Sequence, residues 1–402
     1  MDDQERTMKS MVTQQITTRA ARPAGAPRWS ALRAQMPAAK QWAYFDHAAV
    51  APLSGPARSA IQLWSRDAAD NGDVHWPEWS RRVEQVRRQS AALLGAQLDE
   101  IALVPNTTAG INLVAEGFPW QAGDNVVTFS DEFPSNRIPW QNLAARGVEC
   151  RLVEPTGTAA DLDRLLAACD TRTRIVSVSW VGYAAGRRWD PARLADAVHS
   201  RGALLFLDAI QGLGVFPLDV STAGVDFLAA DGHKWLLGPE GAGIAYVRRD
   251  HLDKLRPIGL GWNSVADEHD FSRPTWRVKP SAARYEGGTM NTGGLVGLGA
   301  SLALLAGYET TAIAERVINY TERLCEGLRK LDAVVVSDRS PSAASGIVLF
   351  EMPGRSPSMV RRSLLEAGVV VSVRTGKLRV SPHAYNNDAD LDRFFDALLE
   401  TT

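Results

Sequence analysis

Cysteine is scarce in this chain: Cys150, Cys169 and Cys325 are the only three in 402 residues, and no CxxC pair occurs. That disfavours a zinc finger or a disulfide-stapled scaffold and fits a reducing, cytoplasmic setting. Excess charge is lacking as well. The 44 Lys and Arg stand against 46 Asp and Glu, so nothing in the balance favours nucleic acid or an anionic membrane as a partner. No apolar run approaches the roughly 18 residues of a membrane span. Residues 1–40 mix Arg, Thr, Ala and Pro without the apolar core of a secretory signal, and are expected to be a disordered tail. The seven histidines show no HExxH spacing, no GxxxxGK[ST] phosphate loop occurs, and Gly241-Ala-Gly243 lacks the third glycine of a dinucleotide fingerprint. No metal site is expected, and zinc-protease, nucleotide-triphosphate and dinucleotide chemistry recede.

What is present is an ordinary globular composition, 45% hydrophobic and 22% charged, in a length suited to two domains. Short apolar runs at 101–104, 125–130, 174–181, 203–207, 225–230 and 242–247 alternate with amphipathic stretches. Asp190 and Pro191 read as an N-cap and first helical residue, with Leu194, Ala197 and Val198 on one face before Gly202. Apolar strands separated by helices predict a parallel sheet covered on both faces. An α/β domain is therefore expected over 58–300, preceded by a segment at 41–57 near the active site. Residues 301–402 read as a smaller α+β domain. It ends in a helix whose Leu391, Phe394, Phe395, Leu398 and Leu399 must dock on something.

Lysine is rare, with seven against 37 arginines, and Lys234 stands apart. It follows the buried-strand pattern Val225-Asp-Phe-Leu-Ala-Ala and precedes Trp235-Leu-Leu-Gly-Pro. Desolvation at such a place lowers an amine's pKa and prepares it for imine chemistry. Asp208 ends the apolar run Leu204-Leu-Phe-Leu, at the strand edge where open α/β sheets bind ligands. A carboxylate there suits a pyridinium nitrogen. Asn106-Thr107-Thr108-Ala-Gly opens a helix after a strand, and its hydroxyls and free N–H groups suit a phosphate. Lysine, aspartate and phosphate cup together are what pyridoxal phosphate requires.

The runs Asp208-Ala-Ile-Gln211, Ala230-Asp-Gly-His233-Lys234-Trp-Leu-Leu-Gly-Pro and Arg284-Tyr-Glu-Gly-Gly-Thr289-Met-Asn resemble the class V aminotransferase family. That family includes cysteine desulfurases, selenocysteine lyases, isopenicillin N epimerase-like proteins and kynureninases. The resemblance extends from Tyr44-Phe-Asp-His to Tyr385-Asn-Asn. It implies a fold-type I enzyme with a large seven-stranded, mostly parallel sheet domain, a small C-terminal domain, and a homodimer with shared active sites. It implies that Lys234 forms the Schiff base and moves the substrate proton, that Asp208 faces the pyridine nitrogen, and that Gln211 faces the phenolic oxygen. Thr107, Thr108 and His233 would hold the phosphate, with Thr289 reaching that of the partner subunit. Phe133 and Asn136, in Glu132-Phe-Pro-Ser-Asn, would lie at the cofactor. Arg379 would grip the substrate carboxylate, with Arg374 and Trp262 also at the substrate and His75 as a further catalytic group.

Two departures from the family pattern shape the functional expectation. Asp231 stands where many relatives carry a serine that donates to the phosphate. In addition, Val373-Arg374-Thr375-Gly376 runs directly into Lys377-Leu-Arg379, with none of the cysteines nearby. Persulfide-forming desulfurases need a cysteine on that loop. The expectation is therefore an enzyme acting on an α-amino acid as an aminotransferase or C–S lyase, with an amino-acid epimerase as the alternative. A cysteine desulfurase or a non-catalytic binding protein of the same fold is disfavoured.

Overall fold

The computed structural model describes residues 28–400, except 268–269, 271 and 273–274. The tail reading for 1–27 lies outside the described residues. Residues 28–40 depart from it: Arg28–Ala34 is helical and Pro37–Lys40 a 3-10 turn, tied down where the Arg33 guanidinium donates to Asp390 at 2.7 and 2.9 Å. Alanine-rich composition hid that anchor, because its partner lies 357 residues away.

In chain order the strands are β1 (Ala43–Tyr44), β2 (Ile101–Val104), β3 (Asn125–Phe129), β4 (Glu149–Val153), β5 (Thr173–Ser179), β6 (Leu204–Asp208), β7 (Phe227–Asp231), β8 (Gly243–Val247), β9 (Val334–Val335), β10 (Val348–Glu351), β11 (Val369–Val370), β12 (Ser372–Arg374) and β13 (Lys377–Val380). Seven of them form one sheet, in the order β2-β8-β7-β6-β5-β3-β4. β8 runs antiparallel to both neighbours, and the other pairings are parallel. The mostly parallel sheet expected from the resemblance is present. A run such as Gly243–Val247, buried throughout, has the same pattern in either direction, so its reversal is invisible in sequence. β4 escapes periodicity for another reason: it is an edge strand whose Glu149 is exposed and whose Cys150 and Arg151 are half-buried.

Leu205, Phe206, Leu207, Leu228 and Val178 are almost wholly buried, so the sheet is covered on both faces. Helix Thr107–Gly117 packs closely on β7: a Cβ added to Gly110 would stand 2.6 Å from that of Ala229. β2, β6 and β7 are mutually parallel within the sheet. Their C-terminal ends therefore share one edge, which brings together the Thr107 helix start, Asp208, and Asp231 with Lys234 just beyond.

The smaller unit is built on the sheet β12-β13-β10-β9. Its core includes Phe45, Tyr320, Leu364 and Phe394, and helix Asp388–Leu399 buries Leu391, Phe394 and Leu398 there, while Leu399 stays exposed. β1 pairs in parallel with β11, so the N-terminal segment is stitched to this unit before it reaches the sheet edge. No single helix among the described residues is long and apolar enough to cross a membrane.

Candidate active site

A cavity of about 320 Å³ opens at that sheet edge, and Lys234 and Asp208 both line it. Lys234 follows β7 by three residues and is 9% exposed. Burial lowers its pKa to about 8; Asp208 pulls the other way, and Arg379 adds to the lowering. Near neutrality a useful fraction of its amine is the free base that attacks an aldehyde. Asp208 is 2% exposed, and burial pushes its carboxyl up to about 6 despite the Ile210 N–H donated at 3.1 Å and the charge of Lys234. It is a buried acid whose charge is held cheaply only beside a cation.

Helix Thr107–Gly117 starts at the same cavity, with Asn106 as N-cap accepting from the Ala109 N–H. The first N–H groups of a helix have no intrahelical acceptor and face outward as an anion site. The Thr107 hydroxyl oxygen accepts from the Asp231 N–H at 3.0 Å, and the Thr108 hydroxyl donates to Ser135 Oγ at 2.8 Å. His233 also lines the cavity, its Nδ1 2.9 Å from Asp231 Oδ2. At the departure from the family pattern, one Asp231 carboxylate oxygen thus faces an imidazole nitrogen.

Gln211 lies in the cavity with most of its amide committed. Its Nε2 donates to the Ala48 carbonyl at 2.9 Å, and its Oε1 accepts from Trp235 Nε1 at 2.9 Å, leaving one N–H for a ligand. Phe133 stands at the mouth, 42% exposed, with its ring edge-on to Tyr183 at 5.3 Å and Lys234 Nζ 5.7 Å from its centroid. Arg379 is 1% exposed. Its Nε donates to Ser372 Oγ at 3.2 Å, its Nη1 to the Tyr183 carbonyl at 2.6 Å, and its Nη2 to Asp46 Oδ1 at 3.2 Å. Arg374 lines the cavity beside it.

The structure therefore gathers Thr107, Thr108, Phe133, Asp208, Gln211, His233, Lys234, Arg374 and Arg379 around one space. The remaining candidates lie elsewhere. Asn136 is buried behind the cavity, its Oδ1 accepting from Ser177 Oγ and Trp140 Nε1. His75 is half exposed and bonded to Asp67 at 2.7 Å. Thr289 and Trp262 line a second cavity, of about 640 Å³, with Trp76 and Arg87. Within one chain none of these four lines the Lys234 cavity.

Sequence reading overlooked Ser135, Tyr183 and Asp46. Ser135 and Asp46 sit inside the Phe-Pro-Ser-Asn and Tyr-Phe-Asp-His motifs already quoted, so their signal was on hand. Tyr183 follows β5 with no motif around it.

Pyridoxal phosphate fits these residues. A buried amine with lowered pKa, a buried carboxylate in the same cavity, a helix N-terminus with flanking hydroxyls and an aromatic ring match its aldehyde, ring nitrogen, phosphate and π face.

Comparison with known proteins agrees. Residues 43–394 match the family described as aminotransferase class-V. A probable cysteine desulfurase of Methanothermobacter thermautotrophicus is 30% identical over 391 residues, covering 92% of this chain and 97% of that one. A cysteine desulfurase of Klebsiella pneumoniae is 32% identical over 382 residues, covering 89% and 92%. Among solved structures, the apo cysteine desulfurase of Thermococcus onnurineus superposes with a TM-score of 0.83 at 26% identity, over 92% of this chain and 96% of that one. Fold, site and kinship converge: the chain belongs to the class V aminotransferase family and is a pyridoxal phosphate enzyme.

Proposed function

We propose that this enzyme acts at Cα or Cβ of an α-amino acid through Lys234 without a protein thiol, as an aminotransferase or C–S lyase. The observation that carries the reading is the turn between β12 and β13. Arg374 pairs with Lys377 across it, and only Thr375 and Gly376 intervene, at φ of +47° and +74°. Positive φ at both central residues is the signature of a tight two-residue hairpin turn. A hairpin closed this tightly has no loop on which a thiol can swing to the substrate. Nor do the existing thiols substitute: Cys150 sits on edge strand β4 and Cys325 in the core of the smaller unit, both pushed up to about 11 by burial, and Cys169 is also raised. None of the three lines the Lys234 cavity.

When bound, pyridoxal phosphate supplies an electron sink for the carbanion at Cα. The chain's own groups divide the remaining work. Lys234, with its lowered pKa, would hold the cofactor through its aldehyde, and its amine is the group placed to move the Cα proton. Asp208 holds the proton on the ring nitrogen. Thr107, Thr108, His233 and the helix N-terminus hold the phosphate, and Phe133 walls one side. Arg379 orients the substrate through its carboxylate, a task suited to a guanidinium already fixed by three partners.

The relatives named cysteine desulfurases make small sulfur-bearing amino acids the first substrates to assay. The test is product analysis by absorbance and mass spectrometry during turnover. Keto acid with the amine form of the cofactor identifies an aminotransferase. Sulfide and keto acid with unmodified protein identify a lyase. Inverted substrate identifies the epimerase, and a persulfide on Cys150, Cys169 or Cys325 overturns the reading in favour of a desulfurase.

A further inference from the structure

Charged side chains at the arginine end of the cavity can be summed. Arg379 and Arg374 contribute two positive charges to its lining. Asp46 contributes one negative charge at Arg379, and it is firmly held: Oδ1 accepts both from Arg379 Nη2 at 3.2 Å and from Ser372 Oγ at 2.7 Å. Arg374 has no carboxylate within ion-pair distance among the described residues; its Nη1 donates to the Val373 carbonyl at 2.9 Å. Of the other ionisable groups lining the cavity, Asp231 lies 2.9 Å from His233 and Asp208 faces Lys234. Two cations and one anion leave a net charge of +1 where the substrate's carboxylate would lie.

That sum has consequences because Arg379, at the back of the cavity, is out of solvent while Arg374 is half-buried. Arg379 is 1% exposed and the Asp46 side chain 13%. Burial holds the Arg379 guanidinium below its ordinary range and Asp46 opposes that, so the pair is a local compensation of charge. One α-carboxylate brings the sum to zero. A second acid on the same ligand would be an anion without a partner cation beside the buried Arg379–Asp46 pair, which binding sites reject.

We propose that Asp46 is a specificity determinant: by neutralising one of the two guanidiniums, it limits the pocket to a single anionic group. The enzyme accepts α-amino acids with uncharged side chains and turns away dicarboxylic ones. The inference rests on the reading of Arg379 as the carboxylate holder and adds the side-chain class of the substrate.

The test titrates holoenzyme with alanine, aspartate and ethylamine and follows the visible cofactor band, which reports binding without turnover. Wild type is expected to bind alanine at least about tenfold more tightly than aspartate. Asp46→Asn raises the sum to +2 and should close or invert that gap. Arg374→Gln lowers it to zero and should weaken alanine by at least about tenfold. The double variant returns to +1 and should restore the wild-type order, an outcome that loss of a merely structural contact would not produce. Equal binding of alanine and aspartate by wild type overturns the proposal. So does a double variant that keeps the order of Asp46→Asn. If Asp46→Asn fails to fold, Arg374→Gln decides alone, and unchanged alanine affinity in it is a refutation. Ethylamine binding as tightly as alanine refutes the Arg379 reading and the proposal with it. An unchanged alanine-to-aspartate ratio in Asp46→Asn, with ethylamine still weak, removes the role of Asp46 only.

Discussion

Lys234 and Asp208 lie in one cavity with their pKa values displaced toward each other, the amine down to about 8 and the acid up to about 6. Burial is the main cause of both shifts, and the mutual attraction of the charged forms limits them. The site thus keeps a proton acceptor and a proton holder close to neutrality, which pyridoxal chemistry requires at opposite ends of the cofactor.

Covalent attachment of pyridoxal phosphate to the apoprotein should follow the free-base fraction of Lys234. Below pH 8 that fraction falls about tenfold per unit, and above it the rate should level off. Stopped-flow absorbance from pH 6 to 10 measures it. A plateau reached only above pH 10 would mean an ordinary surface amine. Lys234→Ala should give colourless, inactive protein.

Asp208→Asn should retain the cofactor yet lose about 100-fold or more in turnover, since the ring nitrogen loses its proton holder. The same change should stabilise the apoprotein. A carboxyl raised from 3.8 to about 6 binds more protons folded than unfolded, so native stability declines as pH rises through that window and stays low above it. Relief of up to about 3 kcal/mol is expected at pH 8, vanishing below about pH 4, by urea unfolding at both pH values. Equal midpoints for variant and wild type at pH 8 would show that the buried charge costs nothing.

Thr289 lines a cavity other than that of Lys234 within the single chain. If it serves a partner's phosphate, mixed dimers of Lys234→Ala and Thr289→Ala protomers regain one intact site each. Random exchange should then restore about a quarter of all sites. Silent heterodimers, once isolated, would show that Thr289 does not complete the partner's site.

Phe394 is fully buried where the last helix meets the smaller unit, edge-on to Phe45 at 5.6 Å and to Phe350 at 6.3 Å. Phe394→Ala should cost about 3–5 kcal/mol, the range for large core aromatics. Denaturant titration checks this, and a loss below about 1 kcal/mol would mean the helix is weakly docked.

Sequence exposed those parts of the molecule whose physics is local. Apolar runs marked the central strands, and Lys234, Asp208 and Thr107 each stand at a strand end or helix start that their own neighbours define. Asp46 at Arg379 was out of reach because 333 residues separate them. The direction of β8 was hidden because uniform burial has no polarity. His75, Trp262 and Thr289 were identified by motif alone, and motif conveys chemistry without saying which subunit's cavity a residue serves.

The two-residue turn at Thr375-Gly376 also bears on how this chain and its desulfurase relatives can interconvert. Both positions hold left-handed backbone; Thr375 already carries a side chain there, whereas at Gly376 a cysteine would lack glycine's freedom. A point mutation of Gly376 to cysteine would therefore tend to loosen the hairpin before it equipped the site. Under the proposed reading, a mobile thiol here calls for extra residues in the turn, because a two-residue hairpin has no slack to carry one to the cavity.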